Sequence, residues 1–195
     1  MRYRIAVMAV VTTLSIGFFT PANAQTAGGA NNIVIVTNTS DGQTVSRSGM
    51  MVSFDPGDTV ANNNLAIATS TACEGCRTVS VAMQVIVVES FPSDFRPANV
   101  ASAENGGCNS CDTEAFAFQH SVQPGVMVHL SAAGRQAIVG LRSQVASLAD
   151  RDLPYLEMKT QLEALFGQLV AIVNGEVEAS GAQANGVTYE SAQAA

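Results

Sequence analysis

Asn64-Leu65-Ala66-Ile67-Ala68-Thr69-Ser70-Thr71-Ala72-Cys73-Glu74-Gly75-Cys76-Arg77-Thr78-Val79-Ser80-Val81-Ala82-Met83-Gln84 decides how this chain is read, because much of it returns 35 positions downstream. Asn99-Val100-Ala101-Ser102-Ala103 answers Asn64 to Ala68, and Cys108 and Cys111 answer Cys73 and Cys76. The same shift sets Thr113 on Thr78, Ala117 on Ala82, Phe118 on Met83, Gln119 on Gln84 and Val122 on Val87. The shared pattern is N-[LV]-A-x-A-x4-C-x2-C-x-T-x3-A-[MF]-Q-x2-V. Nine identities at one ungapped offset mark two tandem copies of one supersecondary unit, near 62–88 and 97–123.

Each unit reads as strand, tight connection, strand. Val79, Val81, Met83, Val85 and Val87 point one way, while Thr78, Ser80, Ala82 and Gln84 point the other. Such alternation suits a half-buried antiparallel strand. Phe116 and Phe118 hold the matching places in the second copy, and Glu74-Gly75 and Asn109-Ser110 are turn-prone pairs between the cysteines. Ahead of the units, Ile33 to Val36 and Val45 to Phe54 read as strands, with Asp55-Pro56-Gly57-Asp58 as a turn.

After Pro124-Gly125 the period lengthens. Ile138, Leu141, Val145 and Leu148 step as a helix that opens after Ser131 as its N-cap. A second helix has Asp152 as its cap and Pro154 in its first turn, and carries Tyr155, Met158, Leu162, Leu165, Leu169 and Ile172 on its apolar face. The short gap between them predicts a helical hairpin over 131–174 that packs on the sheet. Pairing of two copies through these helices is the alternative. Residues 175–195, rich in Gly, Ala, Gln and Asn, read as a loose tail. The expected fold is α+β: an antiparallel sheet of two duplicated hairpin units, then the helical hairpin, as one domain over 25–174.

Residues 1–24 read as a secretory signal: Arg2 and Arg4, an apolar run from Ile5 to Phe19, then Ala22-Asn23-Ala24. The expected product is exported, periplasmic or extracellular, with no membrane span left after cleavage. Lys and Arg number 9 against 16 Asp and Glu among 195 residues, a formal net charge of -7. That acidic, Lys-poor balance excludes nucleic acid as a partner and leaves an unknown protein or surface. With 47% hydrophobic and 13% charged residues, the chain is too apolar to be disordered.

Cys73, Cys76, Cys108 and Cys111 form two C-x2-C pairs and allow two chemistries. Outside the cytosol disulfides are the first expectation, in any of three connectivities, with no cofactor. A four-thiolate zinc site is the alternative, and a redox-active dithiol is a third. The dithiol fits poorly, because a reactive thiolate wants a helix N-terminus, whereas these pairs precede strands beside Glu74 and Asp112. No zincin, nucleophile-elbow or phosphate-loop motif accompanies His120 and His129, so the sequence identifies no reaction. Thr78, Gln84, Thr113 and Gln119 are candidates for equivalent polar contacts in the two units. The expected function is an exported non-catalytic module, structural or binding, held by two disulfides.

The run Ala72 to Val79, continued by Ala82-Met83-Gln84-Val85-Ile86-Val87, resembles a family of exported bacterial proteins of actinobacterial type with duplicated C-x2-C-x-T…A-x-Q units. The resemblance covers about residues 60–148 and extends into the segment Ala133-Gly134-Arg135-Gln136 through Leu148. Some of those relatives carry the label peptide zinc metalloprotease. No motif for that activity is present here, so the resemblance implies a fold and no reaction. Asp112 stands where that family has a neutral residue, and His120 where it has an aromatic.

Overall fold

Strands β1 (Asn32–Asn38), β2 (Thr44–Asp55) and β3 (Thr59–Val60) run in sequence along one coil of the computed structural model, which describes residues 30–195. Strands β4 (Asn63–Thr71), β5 (Arg77–Val88) and β6 (Asp94–Phe95) make a second coil, and β7 (Ala98–Gly106) and β8 (Asp112–Val122) most of a third. Helices α1 (Ala132–Ala149) and α2 (Tyr155–Ala179) follow, and β9 (Gly186–Ala194) ends the chain. The export signal expected at 1–24 lies outside the described residues.

The units do not fold into hairpins. β4 turns through residues 72–76 into a different sheet from β5, and each strand pairs in parallel with its counterpart in the next coil. One sheet has the order β1-β4-β7, the second β2-β5-β8-β9, and the third is the short pair β3-β6. Among the described residues only β9 is antiparallel, against β8. The architecture is a short β-solenoid whose second sheet is covered by a helix pair. The mixed α+β content stands, and the antiparallel pairing is corrected.

The physical reason lies in β5, where all twelve residues are buried. A hairpin strand with one wet face would alternate, whereas a strand covered on both faces belongs in the middle of a parallel sheet. Its two faces differ in volume rather than in exposure. Val79, Val81, Met83, Val85, Phe116 and Phe118 meet Ile138, Leu141, Val145, Met158, Leu162, Phe166 and Leu169 of the helices. Each such side chain contributes roughly 1.5–3 kcal/mol on burial. On the other face Ala82, Ala115 and Ala117 meet Val34, Val36, Ala66, Ala68 and Ala103 of the first sheet. Small side chains let the two sheets approach closely. At Gly49, which pairs with Ala82, an added Cβ would lie 2.7 Å from Val34 Cγ2 and 2.8 Å from Asn32 Oδ1.

Ser131 caps α1 by accepting from the Gly134 N–H at 3.0 Å. Pro154, rather than Asp152, is the N-cap of α2, whose buried face is Met158, Leu162, Phe166, Leu169, Val173 and Val177. That helix runs past 174, and the segment read as a loose tail contains β9. Ser191 Oγ accepts from the Ala101 N–H at 3.1 Å and Gln193 Oε1 from the Ala103 N–H at 3.3 Å, so β9 also closes the edge of β7.

Candidate functional site

Parallel pairing stacks each corner of the solenoid on the next. Residues 72–76 and 107–111 lie one above the other, joined by Gly75 N–H to Asn109 O at 2.8 Å, Asn109 N–H to Cys73 O at 3.2 Å and Asp112 N–H to Cys76 O at 2.9 Å. Both corners have the same backbone. Ala72 and Gly107 adopt positive φ ahead of the first cysteine, and Gly75 and Ser110 do so ahead of the second. Left-handed residues at these places turn the chain sharply enough to bring both side chains of a C-x2-C to one side.

The result is four sulfurs in one cluster, all within 4.8 Å of one another. Cys73 and Cys76 are at disulfide distance with Cα atoms 6.2 Å apart, and so are Cys108 and Cys111 with Cα atoms 6.0 Å apart. Across the corners Cys76 Sγ lies 3.0 Å from Cys111 Sγ, and Cys73 Sγ lies 3.5 Å from Cys108 Sγ. Cys73 and Cys76 are buried, while Cys108 and Cys111 are half-buried on the outer coil. The pairs lie between strands and not at a helix N-terminus, where a reactive dithiol would be expected. Such a cluster suits a structural cross-link or a metal-binding site.

Beside the cluster, on the helix side of the sheet, lies a charged group. Arg77 Nη2 donates to Glu114 Oε2 at 3.1 Å and Arg77 Nε to Asp112 Oδ2 at 3.2 Å. Asp112, read in the sequence as an acid acting on the thiols, is thus engaged by Arg77. Burial pushes the Glu114 carboxyl from its ordinary 4.5 up to about 7, and Asp112 pushes it the same way. The Arg77 charge and hydrogen bond oppose this.

Below the sulfurs, the interior is lined with polar ladders. Ser70 Oγ lies 2.7 Å from Thr78 Oγ1 and 2.6 Å from Thr113 Oγ1. Gln119 Nε2 donates to Gln84 Oε1 at 2.9 Å, and both glutamines are fully buried. The two are neighbours in the parallel register of β5 and β8, related by translation along the stack. Asn32 Nδ2 donates to Asn64 Oδ1 at 2.8 Å, and Asn64 Nδ2 to Asn99 Oδ1 at 2.7 Å. The same amides reach across to strand carbonyls of the second sheet, Met83 O at 3.1 Å and Phe118 O at 3.0 Å among them. Sequence comparison singled out Asn64 and Asn99 as matched residues, but not Asn32 or Ser70.

His120 is buried in β8 with Nδ1 2.8 Å from Thr188 Oγ1, and burial lowers its pKa. His129 is exposed ahead of α1. No helix among the described residues is long and apolar enough to cross a membrane. Comparison of the chain with protein-family models, with curated proteins and with solved structures found no significant match.

Proposed function

We propose that the chain works outside the cytosol as a non-catalytic structural or binding module, a short β-solenoid cross-linked at one corner by two disulfides. The observation that carries this reading is the sulfur cluster, with one C-x2-C pair in the second coil, one in the third, and both pairs at disulfide distance. Disulfides persist in oxidising compartments, which agrees with the export signal read at 1–24. The interior supports the same conclusion. Asn32, Asn64, Asn99, Gln84 and Gln119 are spent on one another and on backbone carbonyls, holding sheet to sheet.

The test is the intact mass of the full chain recovered from the periplasm or medium. Two disulfides lower the mass by about 4 Da relative to four thiols. Reduction is expected to lower unfolding stability by roughly 2 kcal/mol per bond, since each closes a very short loop. Four free thiols in freshly exported protein, or turnover in an insulin-reduction assay driven by dithiothreitol, would overturn the proposal. Capture of a partner from envelope extract then separates a binding role from a purely structural one.

A further inference from the structure

The four sulfurs do more than form two bonds. We infer that the reduced corner is a binding site for one tetrahedral zinc ion, held by Cys73 and Cys76 from one coil and Cys108 and Cys111 from the next. The site goes beyond the cross-linking role, and it needs no change in the strands that carry it.

A zinc tetrathiolate with Zn–S of about 2.3 Å has S···S edges of about 3.8 Å. The separations between sulfurs of different corners are 3.0, 3.5, 3.5 and 3.8 Å, so four of the six edges are within about an ångström of that length. The other two edges are the bonds themselves, which open on reduction by side-chain rotation. The backbone that aims the thiols is fixed independently of those bonds, by the corner hydrogen bonds and the four matched left-handed residues. Two C-x2-C corners stacked in register supply an all-sulfur donor set, which favours zinc over oxygen-seeking cations such as calcium or magnesium. A concavity of about 600 Å³, lined by Asp41, Glu74, Asn105 and Asn109, opens beside Cys73 and Cys108. Its two acids would draw a cation toward Cys73 and Cys108.

The chemistry balances. Each disulfide accepts two electrons from one phosphine reductant, and water supplies both the two thiol protons and the oxygen of the phosphine oxide. Zinc(II) then displaces the protons of the four thiols as it binds.

The test reduces the full exported chain with tris(2-carboxyethyl)phosphine, removes the reductant without oxygen, and titrates in cobalt(II) as a spectroscopic stand-in. One equivalent per chain is expected, with the visible absorption of a tetrahedral cobalt thiolate that zinc abolishes by displacement. Cys76→Ser and Cys108→Ser, one from each corner, should each lose that spectrum and bind zinc at least about tenfold more weakly. Circular dichroism runs alongside. If the reduced chain stays folded and takes up no cobalt, the site is absent. If it unfolds on reduction, cobalt must restore both the spectrum and the fold, and failure to do so equally overturns the inference. A tetrahedral thiolate spectrum that survives in either serine variant does the same. The mass of the exported chain tests the disulfide reading separately, so the two can fail independently.

Discussion

Gln119 donates its side-chain amide N–H to the side-chain Oε1 of Gln84, 35 residues earlier and one coil away, and neither side chain touches solvent. A buried amide that loses its partner forfeits about 1–3 kcal/mol, because desolvation is no longer compensated. Gln84→Leu is therefore expected to destabilise by that amount in urea unfolding. The double variant Gln84→Leu/Gln119→Leu should cost less than the sum of the two single changes. Strict additivity in the double-mutant cycle would show that the ladder contributes no coupling.

Glu114 makes stability depend on pH. Its folded pKa of about 7 lies above the ordinary 4.5, so between those values the native state holds a proton that the unfolded chain has released. The contribution, on the order of 3 kcal/mol, is fully present below 4.5 and is lost as pH rises through about 7. His120 runs the other way. Its lowered pKa gives stability that is present above 6.5 and lost as pH falls through the folded value. Glu114→Gln should flatten the decline in unfolding midpoint between pH 5 and pH 8. An unchanged slope in that variant would remove Glu114 as its source.

The interior between the first two sheets has no room. Ala82→Leu forces a large side chain into the layer of Ala66, Ala68, Ala115 and Ala117, and overpacking of this kind costs about 1–3 kcal/mol. On the opposite face Phe118→Ala removes a ring whose centroid is 5.5 Å from that of Phe166 and should cost about 3–5 kcal/mol. Denaturant midpoints of the two variants check both numbers. A neutral Ala82→Leu would show that the sheets can part.

Truncation after Asn185 deletes β9 and strips the edge of β8, all but one of whose residues are buried. It also removes the acceptors from Ser191 and Gln193 to the β7 edge. Exposed edges of this kind recruit other strands. The truncated chain is expected to associate on size-exclusion chromatography at concentrations where the full chain does not. A well-behaved truncated chain of unchanged apparent size would overturn the capping role.

The longer strands up to β8, the helix pair and the sulfur cluster were legible in the sequence, while the direction of pairing and strands β3, β6 and β9 were not. Alternation along Thr78 to Val87 reports two faces, and it does not say whether a strand pairs with its chain neighbour or with its counterpart. The stronger signal was the ungapped offset itself, since equal spacing of Asn64 and Asn99, Cys73 and Cys108, and Gln84 and Gln119 is what in-register stacking requires. That the first coil is a further turn of the same stack escaped notice for a different reason. β1 pairs with β4 at a shift of 32, β2 with β5 at 33 and β3 with β6 at 35, so no single offset aligns it. Its corner also lacks cysteines, and Asp41 there accepts from the Glu74 N–H at 2.8 Å. β9 was hidden because Gly186-Val187-Thr188 and Ser191-Ala192-Gln193 carry little hydrophobicity. Its pairing is dictated by the open edge of β8, not by its own composition.

Because neighbouring coils are related by a simple step along the stack, length becomes a modular property. Splicing one more 35-residue turn between the second and third coils would extend the rod by about 4.8 Å while leaving both ends as they are. The limit is set by the helix pair, whose fixed span shields three parallel strands and would leave a fourth uncovered.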